Sequence, residues 1–246
     1  GTSVNLTIAS MNAGMLFVLA VGSMGVYSAA LGGYASGNKF GLIGAMRGSA
    51  QLMSYELAQG LSLVGLFMIC QSASLDKIAV WQSGPLWRWG VFVQPLGFLI
   101  FFAAAVAETK RSPFDLPEGE SEIIGYFIEH SGLKFGMCFI GEFLEVVIAA
   151  MLITPLYFGS YQLPFLEWSS VERALNQSVG GEWLPGLLVG VLMFTVFVAK
   201  VLFFIFLQLH IRWTLPRMRY DQLMRFGWKF LLPLALANVL LTAVLL

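Results

Sequence analysis

Apolar runs long enough to cross a lipid bilayer recur along the whole 246-residue chain, and they limit its fold more than any other feature. A helix needs about 20 apolar residues to cross a hydrocarbon core of roughly 30 Å. The runs are continuous rather than alternating, which argues against a transmembrane β-barrel. The sequence therefore predicts an all-α fold, a single polytopic transmembrane helical bundle over residues 1–246, with about six spans near residues 12–34, 48–70, 90–107, 134–158, 185–209 and 229–246.

Composition supports this class and excludes several kinds of site. Charged residues make up 11% of the chain, whereas soluble domains usually contain roughly 25%. Cys70 and Cys138 lie in apolar runs without metal-ligand spacing, and the two histidines, His130 and His210, are far apart. No Gly-rich phosphate loop or Ser-His-Asp arrangement occurs. The sequence thus predicts contact with the lipid bilayer, no nucleic-acid binding, and neither catalytic nor metal-ligating residues on this chain.

The basic residues are distributed unequally between alternate connections. One set of connections holds ten of them and the other set holds three, namely Lys77, Arg88 and Arg173. Because Lys and Arg are enriched in cytoplasmic loops, this bias predicts that the loops at 35–47, 108–133 and 210–229 face the cytoplasm.

Four ionisable residues are predicted to lie at membrane depth, three of them acidic. Glu56 follows Arg47 by nine residues, which places it roughly 13 Å into its span at about 1.5 Å per residue. Glu142 follows Lys134 by eight residues and is roughly 12 Å deep by the same rise. Glu145 is one turn deeper, and its i,i+3 spacing from Glu142 puts both carboxylates on one helix face.

The fourth of these residues is Lys200, about nine residues from the cytoplasmic end of its span and therefore roughly 13 Å deep. Each buried charge costs about 2.5–3.5 kcal/mol on insertion scales, so each should face the bundle interior with a partner or water. One interpretation is a Glu–Lys pair that holds the helices in register. The interpretation we favour is a path for protons or a polar substrate, because four groups from three helices exceed what one fixing pair requires.

The loop at 108–133 concentrates six of the chain's 14 acidic residues. The segment "DLPE" predicts the start of a short cytoplasmic loop helix, with Asp115 as N-cap, Pro117 in the first turn and Glu118 as capping-box partner. In that helix Glu118 and Glu122 share one face, and Glu129 follows seven residues later on the same side. This acidic stripe leads towards the buried acids, which favours an entrance funnel over a solvated loop.

The same residues carry a resemblance to a known family. "AETKRSPFDLPEGESEIIGYFIEHSG", preceded by "RGSAQLMSYE" and followed by "RWTLPRMRYDQLMRFGWKFLLPLALAN", resembles the H subunit of bacterial NADH:quinone oxidoreductase. That family is the membrane subunit at the junction of respiratory complex I, the counterpart of mitochondrial NADH dehydrogenase subunit 1. The family pattern begins with two further helical segments, so the resemblance implies that its N-terminal part is missing from this chain.

The resemblance implies a role in forming the quinone chamber and in starting the acidic channel that links quinone reduction to proton pumping. Quinone is then the substrate, no redox centre lies on this chain, and FMN and iron–sulfur clusters belong to partner subunits. The implied partners are the peripheral quinone-module subunits and neighbouring small membrane subunits, in a bacterial cytoplasmic (inner) membrane. Matching motifs imply channel carboxylates at Glu56, Glu108, Glu129 and Glu142, loop acids beneath the chamber at Asp115, Glu118, Glu120 and Glu122, and basic residues beside them at Arg47 and Arg111.

Three positions depart from the family pattern. The family commonly has Asn where Lys110 and Glu145 stand, and Tyr where His130 stands. Glu145 adds an acid beside the channel, and His130 adds an imidazole. These departures leave the family resemblance intact, and they bear on which groups of this chain carry protons.

Two alternative functions remain open from the sequence. One is the membrane anchor subunit of an energy-converting hydrogenase, which has no quinone; the "DLPEGESE" and "RWTLPRMRYDQLM" segments favour the quinone-linked subunit over it. The other is a stand-alone proton-coupled transporter, against which stands the lack of a detectable inverted repeat.

Overall fold

A computed structural model of the chain describes residues 11–117, 125, 129–166, 168–179 and 184–246. Regular structure in these ranges is helical, apart from an isolated β-bridge between Leu163 and Leu166. The predicted all-α class is confirmed. Within the same ranges, five helical stretches are long and apolar enough to cross a membrane: Gly14–Ala35, Lys39–Cys70, Leu133–Tyr157, Leu184–Thr214 and Tyr220–Leu245.

The first two spans are joined by a tight turn. Helices α1 (Gly14–Ser23) and α2 (Gly25–Ala35) form one apolar stretch, and Gly37, at φ +66°, follows it in the left-handed conformation that glycine adopts freely. Helix α3 (Lys39–Cys70) then begins at once, because the Asn38 side chain accepts a 3.1 Å hydrogen bond from the backbone N–H of Phe40. The predicted loop 35–47 is therefore mostly helix.

The third predicted span is broken near its start. After α4 (Leu75–Trp81) and a 3₁₀ turn at Leu86–Arg88, helix α5 (Gly90–Val93) ends at Gln94, and α6 (Pro95–Glu108) begins in a new direction. Gln94 has φ −135° because a residue that precedes proline is pushed out of the helical region. Helix α6, with 14 residues, is about 21 Å long.

The remaining helices of the described residues form three of the five long apolar stretches, and the last stretch contains a widened turn. They are α7 (Leu133–Tyr157), α8 (Trp168–Val179), α9 (Leu184–Thr214), α10 (Tyr220–Phe226) and α11 (Leu232–Leu245). A π-helical turn at Gly227–Leu231 joins α10 to α11. Pro233, in the first turn of α11, has no N–H to donate to the preceding turn, which accounts for the local widening.

Helix α3 lies at the centre, packed against α2, α6 and α11. One apolar core contains Leu63, Phe101 and Ile153, and a second contains Tyr55, Phe114 and Leu231. Close approach is possible where glycine faces a neighbour: a Cβ on Gly48 would lie 2.8 Å from Pro117 Cγ. The segment after α6 therefore docks directly on α3.

The predicted loop helix falls mainly on residues 118–124 and 126–128, which lie outside the described residues. The loop acids Glu118, Glu120 and Glu122 are among them.

Candidate functional site

A cavity of about 90 Å³ lies between α1, α2, α3, α6 and α7, and three carboxylates line it. Glu56 comes from the middle of α3, Glu108 is the last residue of α6, and Glu145 comes from α7. Much of the remaining wall is apolar, with contributions from Leu52 and Leu152. Three helices therefore bring acids from distant parts of the sequence to one small space.

Local helix geometry accounts for the wall of this cavity. Gln59 follows Glu56 by three residues, so both side chains lie on one face of α3, and the Gln59 side chain hydrogen-bonds the Glu108 carboxylate. Helix α1 passes close to the same carboxylate at Gly22, where an added Cβ would lie 3.8 Å from Glu108 Oε1. The acids are thus enclosed by helix backbone as well as by side chains.

Two ion pairs connect the turn after α6 to α7. Lys110 Nζ lies 3.1 Å from Glu145 Oε1, and Arg111 Nη2 lies 2.9 Å from Glu142 Oε2. The two cations are adjacent in sequence, and the two acids are one helical turn apart on one face of α7. The turn is therefore joined to both carboxylates.

The two pairs differ in their surroundings. Glu142 is 1% exposed, it does not line the cavity, and the guanidinium of Arg111 lies over the rings of Phe139 and Phe143 at 5.4 and 4.6 Å. Glu145 is 30% exposed and faces the cavity. The Arg111–Glu142 pair is consequently shielded from the cavity, whereas Glu145 of the Lys110–Glu145 pair lines it.

The turn is held in place by Gln51 of α3. Its Nε2 donates to the carbonyl oxygens of Ala107 and Phe114, each at 2.8 Å. These two bonds close the backbone segment that carries Lys110 and Arg111. The position of both cations is therefore set by the central helix.

Comparison with known proteins identifies the family of the chain. The family model described as NADH dehydrogenase matches residues 2–243. The chain belongs to the NADH dehydrogenase family. The resemblance to the H subunit is confirmed by curated relatives, of which one from Bdellovibrio bacteriovorus, the H subunit of its NADH-quinone oxidoreductase, is 44% identical over 94% of this chain.

Two further relatives give the same result. The NADH-quinone oxidoreductase H subunit of Thermomicrobium roseum is 44% identical over 98% of the chain, and NADH-quinone oxidoreductase subunit 8 of Rhodothermus marinus is 43% identical over 97% of it. The chain spans 64% of the length of the Bdellovibrio relative and 66% of the Thermomicrobium one. It is a multi-pass membrane member of the NADH dehydrogenase family.

The other predicted site residues of this family member lie at the edge of the cavity or beyond it. Glu129 accepts a 2.8 Å hydrogen bond from Asn38 Nδ2, and His130 Nε2 lies 3.1 Å from the Gly32 carbonyl oxygen. These contacts bind the end of the 108–133 loop to the α2–α3 turn. The guanidinium of Arg47, within α3, lies 5.7 Å from the ring centre of Tyr220.

Asp115, the predicted N-cap, is half-buried just before the undescribed part of the loop. The residues that it would cap are outside the described ranges, so its capping role stays a prediction.

Lys200 is not brought together with the carboxylates. Its ammonium donates to the carbonyl oxygens of Phe158 at 2.8 Å, Ser160 at 3.0 Å and Gln162 at 2.6 Å. It also lies 4.6 Å from the ring centre of Trp89. These partners follow the far end of α7, so Lys200 binds a loop, and its predicted channel role stays a prediction.

Sequence reasoning selected the acids of the cavity but missed two uncharged residues. Gln59 joins Glu108 to α3, and Gln51 holds the turn. A signal for the first was available, since Glu56, Gln59 and Ser62 recur every three residues in an apolar helix. Among the described residues, no group of three or more His, Cys, Asp or Glu side chains is arranged to hold a metal ion.

Proposed function

We propose that this chain is a membrane subunit of a proton-pumping NADH:quinone oxidoreductase, that it helps to form the quinone chamber, and that its carboxylate cavity begins the proton path. Family membership supports the first part, since the relatives are named as the H subunit of NADH-quinone oxidoreductase. The electron-carrying FMN and iron–sulfur clusters would belong to partner subunits, and quinone would be the substrate.

The cavity is the observation that carries the proton path. Glu56, Glu108 and Glu145 face one space of about 90 Å³ inside an apolar bundle. Acids in such a position are costly to bury and, in membrane proteins, typically mark ion or proton pathways. The ammonium of Lys110 forms its ion pair with Glu145, so this one pair does not account for the presence of three acids around the cavity.

The turn between α6 and the 108–133 loop supports a link from the quinone chamber to this cavity. Asp115 and Pro117 continue the same segment that holds Lys110 and Arg111, and Pro117 packs against Gly48 of α3. We propose that quinone reduction alters the electric field on the loop acids Asp115, Glu118, Glu120 and Glu122. The displacement of the turn, or the field itself, then acts on Glu142 and Glu145 through the two ion pairs.

Glu56→Gln tests the proton path. The substitution preserves shape and hydrogen-bonding capacity but removes the exchangeable proton, so we expect normal assembly and at least about a tenfold loss of coupled activity, since positioned proton-transfer groups contribute about 10²-fold or more. NADH-driven quinone reduction and proton uptake into vesicles are measured on membranes containing the whole complex.

Glu172→Gln is the matched control, because Glu172 is exposed on α8, away from the cavity. Normal proton pumping by Glu56→Gln would make that carboxylate structural and would contradict the proposed path. Hydrogen evolution without quinone-linked NADH oxidation would instead indicate the hydrogenase anchor, and transport by the isolated chain would indicate the stand-alone transporter.

A further inference from the structure

Two charged residues that are far apart in sequence, Lys110 of the turn after α6 and Glu145 of α7, are partners in space. Lys110 and Glu145 are 35 positions apart, yet their side chains meet at 3.1 Å. The Lys110 side chain is 5% exposed. A buried ammonium needs a nearby counter-charge; Glu145 supplies it by direct contact, and the carboxylate of Glu108 also interacts electrostatically with Lys110.

The backbone at Lys110 adopts a conformation that is unusual for lysine. Lys110 has φ +52°, in the left-handed region that Asn adopts readily and that a long side chain such as lysine rarely enters. An uncharged Asn would therefore relieve the backbone and avoid burying a charge. A lysine at this position implies that its charge has a use that offsets both costs.

The charge balance of the cavity supplies that use. Two other carboxylates share the cavity with Glu145, those of Glu56 on α3 and Glu108 on α6. Two cations on the turn, Lys110 and Arg111, also act on Glu145. Arg111 forms its ion pair with Glu142, one helical turn away on α7. Lys110 also acts electrostatically on Glu108, two residues earlier on the same turn. The ammonium thus contacts one acid that lines the cavity, Glu145, and interacts electrostatically with a second, Glu108.

We propose that Lys110 and Glu145 form a charge-balancing pair that sets the pH range over which the carboxylate cavity exchanges protons. This inference rests on the proposed proton path. When Glu145 takes up a proton it becomes neutral and no longer offsets the charge of the ammonium. The ammonium then stabilises the charged form of Glu108, which releases a proton more readily. Lys110 is a positioning residue that acts through the two acids and carries no substrate itself.

The test uses the whole complex and the two single variants, because their effects on the pH range have opposite signs. Lys110→Asn removes a cation, so the remaining carboxylates hold their protons to higher pH and the pH range of proton pumping moves up. Glu145→Gln removes an anion but still accepts a hydrogen bond from Lys110, so the range moves down. We expect shifts of about one pH unit each, and a return to near the original range in the double variant.

Lys134→Asn is the control, since it removes an exposed lysine from the same helix α7 without touching the cavity; its pH range should equal that of the unmodified complex. The readout is proton pumping per NADH oxidised, measured in vesicles from pH 5.5 or so to about 9, because a merely structural pair would lower yield without moving this range.

Shifts in the same direction, or none, would overturn the inference. If Lys110→Asn prevents assembly, Glu145→Gln alone must still move the range down, and its failure to do so would overturn the inference equally. Glu56→Gln separates the two proposals. Normal pumping by that variant would remove the proton path, whereas lost pumping with unshifted ranges in the pair variants would remove only the role of Lys110 and Glu145.

Discussion

The side chain of Arg111 shows how the bundle supports a buried acid. Its guanidinium meets the Glu142 carboxylate at 2.9 Å and lies over two phenylalanine rings of α7. A planar guanidinium can pair with a carboxylate and stack on aromatic faces at once, whereas the compact ammonium of lysine is more strongly hydrated. Arginine is therefore the suitable cation for this dry pair.

Arg111→Gln is expected to weaken the assembled subunit substantially. The change removes the guanidinium from a carboxylate that is 1% exposed, and breaking one side of a buried pair costs about 3–5 kcal/mol. The thermal inactivation midpoint of the complex, and the amount of the subunit in membranes, should both fall. In Arg111→Lys, which keeps the charge but loses the planar guanidinium, both quantities should fall less.

The double variant Arg111→Gln with Glu142→Gln is the control for this pair, since it removes both charges together. Much of the lost stability should return. A double variant as unstable as Arg111→Gln alone would show that packing of the arginine on the rings, rather than the ion pair, holds α7 to the turn.

At the scale of residues, helix spacing in the sequence indicates acids but not their partners. Counting residues along a helix estimates depth, and two of the acids that it selected, Glu56 and Glu145, line the cavity, while their role as channel residues stays a prediction. The same count put Lys200 at equal depth, yet this residue binds the loop after α7. Helical rise sets distance along an axis, whereas the direction of a side chain depends on which helix lies beside it.

At the scale of elements, apolar runs predicted the helices but not all of their ends. Arg47 set the expected start of the second span at residue 48, whereas the Asn38 cap starts α3 at Lys39. The run at 90–107 conceals a break at Gln94, which the following Pro95 dictates. Hydropathy averages over many residues, and single capping residues or prolines decide where a helix begins.

Lys200 is expected to stabilise the end of α7. One of its three bonds to backbone carbonyls satisfies the C-cap residue Phe158, and the other two hold Ser160 and Gln162 in the loop that follows the helix. Lys200→Met should therefore speed hydrogen exchange in residues 158–166 by about tenfold or more, since bonds to charged groups contribute about 1.5–3 kcal/mol each.

Lys77→Met is the control, because Lys77 is exposed. It belongs to a connection that is predicted to lie on the same side of the membrane as the loop that Lys200 binds. Proton pumping per NADH oxidised is measured in parallel. A loss of pumping in Lys200→Met with unchanged exchange would contradict the binding role and would favour the predicted channel role of Lys200.

At the scale of the whole molecule, the sequence did not indicate which helices would be neighbours. Apolar faces are interchangeable in a membrane, so pairing depends on small residues and buried polar contacts. Gln94 Nε2 donates to Thr242 Oγ1 at 2.8 Å, and Trp228 Nε1 donates to Ser54 Oγ at 3.0 Å. The first pair is separated by 148 positions in the sequence and the second by 174. These two contacts join α6, α3 and the C-terminal span into one unit.

The bond between Tyr55 and α10 tests how that unit is held together. Tyr55 is fully buried on α3, and its hydroxyl donates to the Leu223 carbonyl oxygen at 2.9 Å. Tyr55→Phe removes only this donor, so it should cost about 1–2 kcal/mol and increase hydrogen exchange in residues 220–231. Tyr34→Phe, at an exposed position, should leave hydrogen exchange in these residues unchanged.

Because Tyr55 precedes Glu56, unchanged hydrogen exchange together with lost proton pumping would place the tyrosine in the proton path instead. Faster exchange with normal pumping would show that α3 anchors the C-terminal span independently of the cavity chemistry.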